Sequence, residues 1–185
     1  QPKKGAIVVI SEDLPIYSNK KIPAGIDQED FELETLDSIC LPIKYHPEQG
    51  KKIGDHNGAH YFTVGQRKGL QVGGTGKPLF VIATDTKSNV IYTGLGEDHP
   101  GLNRYGLFVP EKDIHWIRED LKMEVGESRR YLSRIRYRQP LSWANYLMKE
   151  NGLYILFDEA QRGVASGQFV AWYDGNESIG SGVIF

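Results

Sequence analysis

Apolar positions along this chain fall in many short runs, and Gly, Pro, Asn and Asp punctuate them. Short runs bounded by turn formers indicate all-β architecture, whereas βαβ units would interleave longer helical periods. The pattern predicts strands over 6–10, 60–64, 79–84, 90–93, 131–137, 153–157, 169–173 and 179–184. Helix is confined to a short turn starting at Pro110, since proline suits the first helical position, and to a stretch over 27–38 of unclear period. "PLFVIATDTKSNVIYTG" reads as a hairpin turning between Asp85 and Asn89.

The weakest join is the Gly- and Pro-rich stretch 73–78, which separates the strand at 60–64 from a denser set downstream. A mainly β chain is therefore expected, with a small β-rich domain over 1–76 and a second domain over 77–185. Strands of the second domain can close into a small barrel that protects its edges. With 185 residues, 39% of them hydrophobic, one large or two small cores are within reach.

No window approaches the roughly 20 apolar residues of a membrane span, and the start lacks a signal-peptide core. The single cysteine, Cys40, cannot form an internal disulfide, which fits a reducing compartment. A cytoplasmic protein without a membrane partner is expected. The missing initiator methionine suggests a fragment.

A net charge of -2 argues against a wholly basic nucleic-acid protein, but charge is segregated along the chain. Between Glu12 and Asp37 acids outnumber Lys20 and Lys21, whereas 56–84 contains no acid and carries Arg67, Lys68 and Lys77. The stretch 128–149 again lacks acids and carries Arg129, Arg130, Arg134, Arg136, Arg138 and Lys149. Two basic patches on an acidic body imply a local anionic partner.

Several motifs lose their chemistry on inspection. Gly76-Lys77 suggests a phosphate loop, but Pro78 stands where magnesium binding needs Ser or Thr, and no helix follows for a dinucleotide fold. His56 and His60 have helical zinc spacing, yet Asn57-Gly58 between them favours a turn, and Cys40 with His46 is too scattered to complete a metal site. A lone cysteine among apolar neighbours reads as a small buried hydrophobe. "RRYLSRIRYRQ" says more: strand period two puts Arg130, Arg134, Arg136 and Arg138 on one face and Tyr131, Ile135 and Tyr137 on the other. That arginine face fits successive backbone phosphates and equally fits a solvated barrel wall paired with acids on a neighbouring strand.

"GKKIGDHNGAHYFTVGQRKGLQVGG", "DHPGL", "DIHW", "IRYRQP" and "ILFDEAQRGVASGQFVAWYDGNESIGSGVI" follow one another in an order that resembles the bacterial tRNA-specific 2-thiouridylases. The resemblance runs from about Gly50 to the end, and "GQRKGL" is its most specific part. It implies a truncated enzyme, whose N-terminal ATP pyrophosphatase domain, with ATP and magnesium, adenylates uridine 34 of certain tRNAs before cysteine-borne persulfide sulfur replaces the oxygen. That domain's Ser-Gly-Gly-Val-Asp-Ser loop is not in this sequence, so the fragment itself is expected to be inactive, with no catalytic residue, cofactor or metal of its own. The resemblance further implies a middle domain and a C-terminal barrel, similar to an elongation-factor domain, that hold tRNA, and a sulfur-relay protein as donor to the whole enzyme.

On that view Gln66, Arg67, Lys68, Arg134, Arg136 and Arg138 are the candidate RNA-binding residues, with the glycines letting backbone approach RNA closely. Tyr61 and Phe62 are candidates to stack on an unpaired base, although one of the two must face the core of a strand. Residues 10–49 read as an acidic insertion, because the family's Gly-x-Ile-Val strand normally lies a short turn before Gly-x-His. "SICLP" lies at the wrong place for the family's persulfide cysteine, so Cys40 is read as not catalytic. Ala165-Ser166 replaces the usual Thr-Pro, which implies a less rigid loop there. Two rival readings stay open: Cys40 as a sulfur-carrying nucleophile, and a translation-factor-like module that binds protein through the segment from Glu12 to Asp37.

Overall fold

The computed structural model describes residues 2–185 and divides them into two compact units. Unit 1 runs to Tyr17 and adds Ile43–Arg104 and Arg162–Val164; unit 2 comprises Ser18–Pro42, Tyr105–Gln161 and Ala165–Phe185. The fold is mainly β, as the pattern implies.

Unit 1 contains β1 (Gly5–Val9), β2 (Lys51–His56), β3 (Leu79–Asp85) and β4 (Val90–Leu95) in the order β2-β1-β4-β3. β1 and β4 are parallel and the other pairs antiparallel. The glycine-rich stretch 73–78 therefore lies inside unit 1, because the strands after it join the sheet of β1. Successive side chains alternate between faces, so Val8, Phe80, Ile82, Val90 and Tyr92 pack in one cluster and Ile7, Leu79, Val81 and Ile91 in another. Both faces are covered, which is why "LFVI" reads as a continuous apolar run.

The hairpin between β3 and β4 turns where expected, with Lys87 and Ser88 N–H groups donating to Asp85 Oδ1. A hydrogen bond from the Ser88 side chain, followed by those backbone bonds, holds the Asp85 carboxyl below its usual pKa. Asn89, at φ 58° and buried, accepts from Ala59 N–H and donates to Lys3 O, fastening the hairpin to the start of the sheet.

Two histidines close turns on this sheet in the same way. His56 Nδ1 accepts from Gly58 N–H at 3.0 Å, which leaves the proton on Nε2 to reach Asn89 O at 3.1 Å. His99 Nδ1 accepts from Gly101 N–H at 3.0 Å while Nε2 reaches Ile10 O at 2.9 Å. Each ring lies on a glycine of the sheet: a Cβ on Gly5 or Gly94 would come within 2.6 Å of the imidazole. The Gly-x-His-x-Gly and "DHPGL" motifs are thus one device used twice.

The expected strand over 60–64 is absent. Gly58, at φ 145°, bends the chain into a short 3₁₀ turn, Ala59–Tyr61, and a loop follows. Tyr61 is exposed, whereas Phe62 meets the His56 ring edge-on at 5.7 Å.

Unit 2 is a curled sheet of β5 (Asn103–Pro110), β6 (Ile114–Trp116), β7 (Ser128–Arg134), β8 (Ser142–Lys149), β9 (Gly152–Arg162), β10 (Phe169–Asp174) and β11 (Glu177–Val183), ordered β5-β9-β8-β7-β10-β11-β6. Phe185 N–H donates to Phe108 O at 2.9 Å, bringing the chain end back to the first strand of the order. The concave side holds an aromatic nest in which Trp116 and Tyr146 pack on Trp172. Gly180 makes room for that nest, since a Cβ there would sit 2.6 Å from the Trp172 ring. A turn after Pro110 is present as a 3₁₀ turn, Glu111–Asp113.

The segment read as an insertion divides between the units. Tyr17 and Tyr45 share a buried 2.7 Å hydrogen bond in unit 1, and burial pushes the Tyr45 hydroxyl up to about 12. Residues 18–42 belong to unit 2, with a helix α1 (Leu33–Cys40) inside the expected helical region and beyond it. Phe31, Leu36, Ile39 and Cys40 pack on Phe108, Leu147, Tyr154 and Leu156. This covers the convex side of β8 and β9, so "LYILF" in β9 is buried on both faces.

Candidate nucleic-acid interface

The cationic loop of unit 1 begins with a turn over 63–66. Gln66 Oε1 accepts from Thr63 N–H at 3.1 Å and Gln66 Nε2 donates to Lys68 O at 2.8 Å. Both ends of the amide are thereby engaged in shaping the loop, and Gln66 differs in this from its two neighbours. Arg67 and Lys68 are exposed, and their charged ends meet no acid among the described residues. Leu70 returns to the core and anchors the loop. Arg67 and the backbone over 69–79 frame an open cavity of about 620 Å³, with Gly69, Gln71, Gly74 and Gly76 all at positive φ. Such a run brings backbone close to a ligand without side chains in the way.

The second cationic region lies in unit 2. β7 ends at Arg134, so Arg136 and Arg138 do not continue its face. Gln139 is the cause: its Oε1 takes Ile135 N–H at 2.9 Å, removing that donor from the sheet, and its backbone N–H closes on Arg136 O. The chain turns over 135–139 and presents Arg136, Tyr137 and Arg138 at the tip. Tyr137, expected in the core, is 84% exposed.

Within β7 the arginines also diverge. Arg130 pairs through two nitrogens with Asp158 and reaches Asn145, so it is a solvated-wall position, with its acid on β9 across β8 and not on a neighbouring strand. Arg134 has no acid; it donates to Tyr173 OH at 3.2 Å and lies over the rings of Tyr173 and Tyr137 at 5.3 and 5.6 Å. The Arg138 guanidinium has no partner among the described residues. The arrangement offers guanidinium groups and ring faces.

Cys40 is 0% exposed, and a Cβ on Gly106 would come within 2.6 Å of its sulfur. Its thiol is a packing group, closed to a sulfur donor without opening the cluster around α1. Among the described residues no three His, Cys, Asp or Glu side chains come together to hold a metal ion. None of their helices is long and apolar enough to cross a membrane.

Fold and interface define a two-part β protein whose parts match known families in sequence order. Residues 43–95 match the tRNA methyl transferase PRC-barrel domain, and 109–184 match the aminomethyltransferase beta-barrel domain. The chain is 54% identical, over its full length, to the tRNA-specific 2-thiouridylase of Flavobacterium johnsoniae, of which it spans 45%. It is 50% identical to the protein of that name from Christiangramia forsetii, over 89% of the chain and 43% of the relative. With that from Karelsulcia muelleri it shares 41% identity over 98% of the chain and 43% of the relative. The chain belongs to the tRNA-specific 2-thiouridylase family and corresponds to its middle and C-terminal domains. It spans less than half the length of these curated relatives.

Proposed function

We infer that this chain is the tRNA-holding part of an enzyme that 2-thiolates uridine 34 of tRNA. The observation that carries the reading is 54% identity over the whole chain to a protein named a tRNA-specific 2-thiouridylase. Two exposed cationic loops, at 67–68 and 136–138, support it physically. ATP and magnesium then act in a pyrophosphatase domain outside this chain, a sulfur-relay protein serves as donor, and the setting is the cytoplasm. Arg67, Lys68, Arg134, Arg136 and Arg138 contact phosphates, while Gln66 sets the loop that displays the first two.

The rivals lose their footing. A sulfur-carrying Cys40 is opposed by its burial. Protein capture through the acidic segment is weakened because Asp37 and Glu29 accept from Tyr154 and Ser128 within unit 2. The test is fluorescence anisotropy of the chain with a tRNA carrying uridine 34 at several salt concentrations. Saturable binding whose affinity falls steeply with salt is expected; no binding at low salt overturns the reading for this part of the enzyme.

A further inference from the structure

The convex side of unit 2 bears a row of side chains that sequence period alone did not bring together. Strand register places Trp143 of β8 opposite Leu132 of β7, and Leu132 opposite Tyr173 of β10. Adjacent strands stand about 4.8 Å apart, so the indole and the phenol lie about 10 Å apart across one apolar residue. Arg130 lies over the Trp143 ring at 5.4 Å, and Arg134 lies between the rings of Tyr173 and Tyr137.

These rings are not core residues that failed to find cover. Trp143 is 48% exposed and Tyr137 is 84% exposed, while Trp116 and Trp172 are buried in the nest on the other side of the sheet. Guanidinium groups hold the rings in place, and Arg130 is in turn fixed by Asp158. Arg134, Arg136 and Arg138 add positive charge at one end of the row, and no acid occurs between residues 128 and 149.

Flat aromatic faces interleaved with guanidinium planes suit a chain that alternates flat bases with negative charges. A paired helix hides its base faces in the stack, so only an unpaired segment can use such a row. Charge complementarity favours nucleic acid over a protein partner, for which the exposed arginines would need acids.

We propose that the convex face built from Trp143, Tyr173, Arg134 and Tyr137 is a base-stacking platform for unpaired RNA, with Trp143 and Tyr137 each receiving a base. This rests on the tRNA-holding reading and adds to it the class of segment bound: a loop or an end in place of a duplex stem. Stacking supplies contact without sequence readout, because every base has a π-face.

The test uses the exposed position of Trp143 among the three tryptophans. The 185-residue chain is titrated with a uridine heptanucleotide and, separately, with a blunt RNA duplex of equal charge, following tryptophan fluorescence and anisotropy together. Quenching by the single strand and none by the duplex is expected. Trp143→Leu, which keeps an apolar group against Leu132, should abolish the quench and weaken single-strand binding about ten-fold with the salt slope unchanged. Trp143→Phe should restore part of the affinity, and Tyr137→Leu should weaken binding in the same way while retaining the quench.

Salt-dependent binding with no quench, or unchanged affinity in Trp143→Leu, overturns the platform and leaves the tRNA-holding reading standing; the face then serves another contact, such as protein. Failure to bind either RNA at low salt overturns both. A fold check by far-ultraviolet circular dichroism accompanies each variant.

Discussion

The turn over 63–66 in unit 1 and the turn over 165–168 in unit 2 are built from the same four hydrogen bonds. Gly65 N–H donates to Val81 O, Val81 N–H to Gln66 O, Gln66 N–H to Thr63 O, and Thr63 N–H to the Gln66 side chain. Gly167, Ile184, Gln168 and Ala165 repeat the set with distances between 2.8 and 3.2 Å. The glycines sit at φ 89° and 91°. The two turns part at their exits: Gln168 leads straight into β10, whereas Gln66 leads into Arg67 and Lys68 at the rim of a cavity. The dipeptide Gly-Gln is thus a way to leave or enter a sheet, and what sets the first turn apart is the pair of exposed cations it displays. Ala165-Ser166, which the family pattern marks as a weaker loop, supports the same bonds as Thr63-Val64.

The largest separation between the two turns should appear in RNA binding. Replacing Arg67 and Lys68 together by alanine should lower tRNA affinity ten-fold or more and make its salt slope shallower by about one to two, since each lost phosphate contact releases fewer counterions. Stability should stay within about 0.5 kcal/mol, because both side chains are exposed and meet no acid among the described residues. Anisotropy titrations beside urea unfolding measure the two effects. A loss of stability equal to the loss of affinity would mean that the cations hold the loop and do not contact the ligand.

Next in size is the backbone cost, which should be equal in the two turns. Gly65→Ala and Gly167→Ala each force an L-residue into the left-handed region at about 1–2 kcal/mol. An added Cβ meets nothing closer than 3.6 Å at Gly65 and nothing within 4 Å at Gly167, so no clash adds to the strain. Asparagine at either place should cost less, since it tolerates that region better. Unequal losses in urea unfolding would break the equivalence of the turns.

How much of this was legible depends on whether the signal is local. The β class and the 85–89 hairpin follow from short apolar runs and turn formers, which are local. The 73–78 boundary misled because glycine density marks a flexible loop whether it joins two units or, as here, returns to its own sheet. The strand over 60–64 was overruled by Gly58 and by the side chain of Asn89, which is remote in sequence. The expectation over 131–137 lies three residues C-terminal of β7, Ser128–Arg134, because nothing in the alternation reveals that Gln139 takes Ile135 N–H. Charge segregation did locate both cationic loops. The aromatic row was hidden, since Trp143, Leu132 and Tyr173 become neighbours only through register across three strands.

Acid should separate turns held by amides from those held by an imidazole. Burial lowers the His99 pKa from 6.5, with the Ile10 carbonyl acting weakly the other way, and protonation of Nδ1 would cost the bond from Gly101 N–H. The unfolded chain then takes up this proton at higher pH than the folded one. Stability from this turn is complete above about pH 6.5 and is lost as pH falls below it. The urea midpoint should drop between about pH 7.5 and 5.5, and His99→Gln, less stable at the higher value, should show a smaller drop. The Gly-Gln turns carry no titrating group and should contribute equally at both values.

The smallest effect is the most diagnostic for the role of Gln66. Gln66→Ala and Gln168→Ala should each cost about 0.5–1.5 kcal/mol, the value of a typical hydrogen bond, with Gln66 at the lower end because its turn is exposed. The tRNA affinity of Gln66→Ala should change far less than that of Arg67→Ala. The chain already shows which substitute can serve: Glu127 accepts from Glu124 N–H at 2.8 Å with the same three-residue spacing. Gln66→Glu should accordingly keep the Thr63 bond while losing the one to Lys68 O, and should recover part of the stability lost in Gln66→Ala. Its added negative charge beside Arg67 should still weaken RNA binding. If Gln66→Ala and Gln66→Glu instead leave stability untouched and both reduce affinity as much as Arg67→Ala, the glutamine reads the ligand, and the likeness of the two turns ends at the backbone.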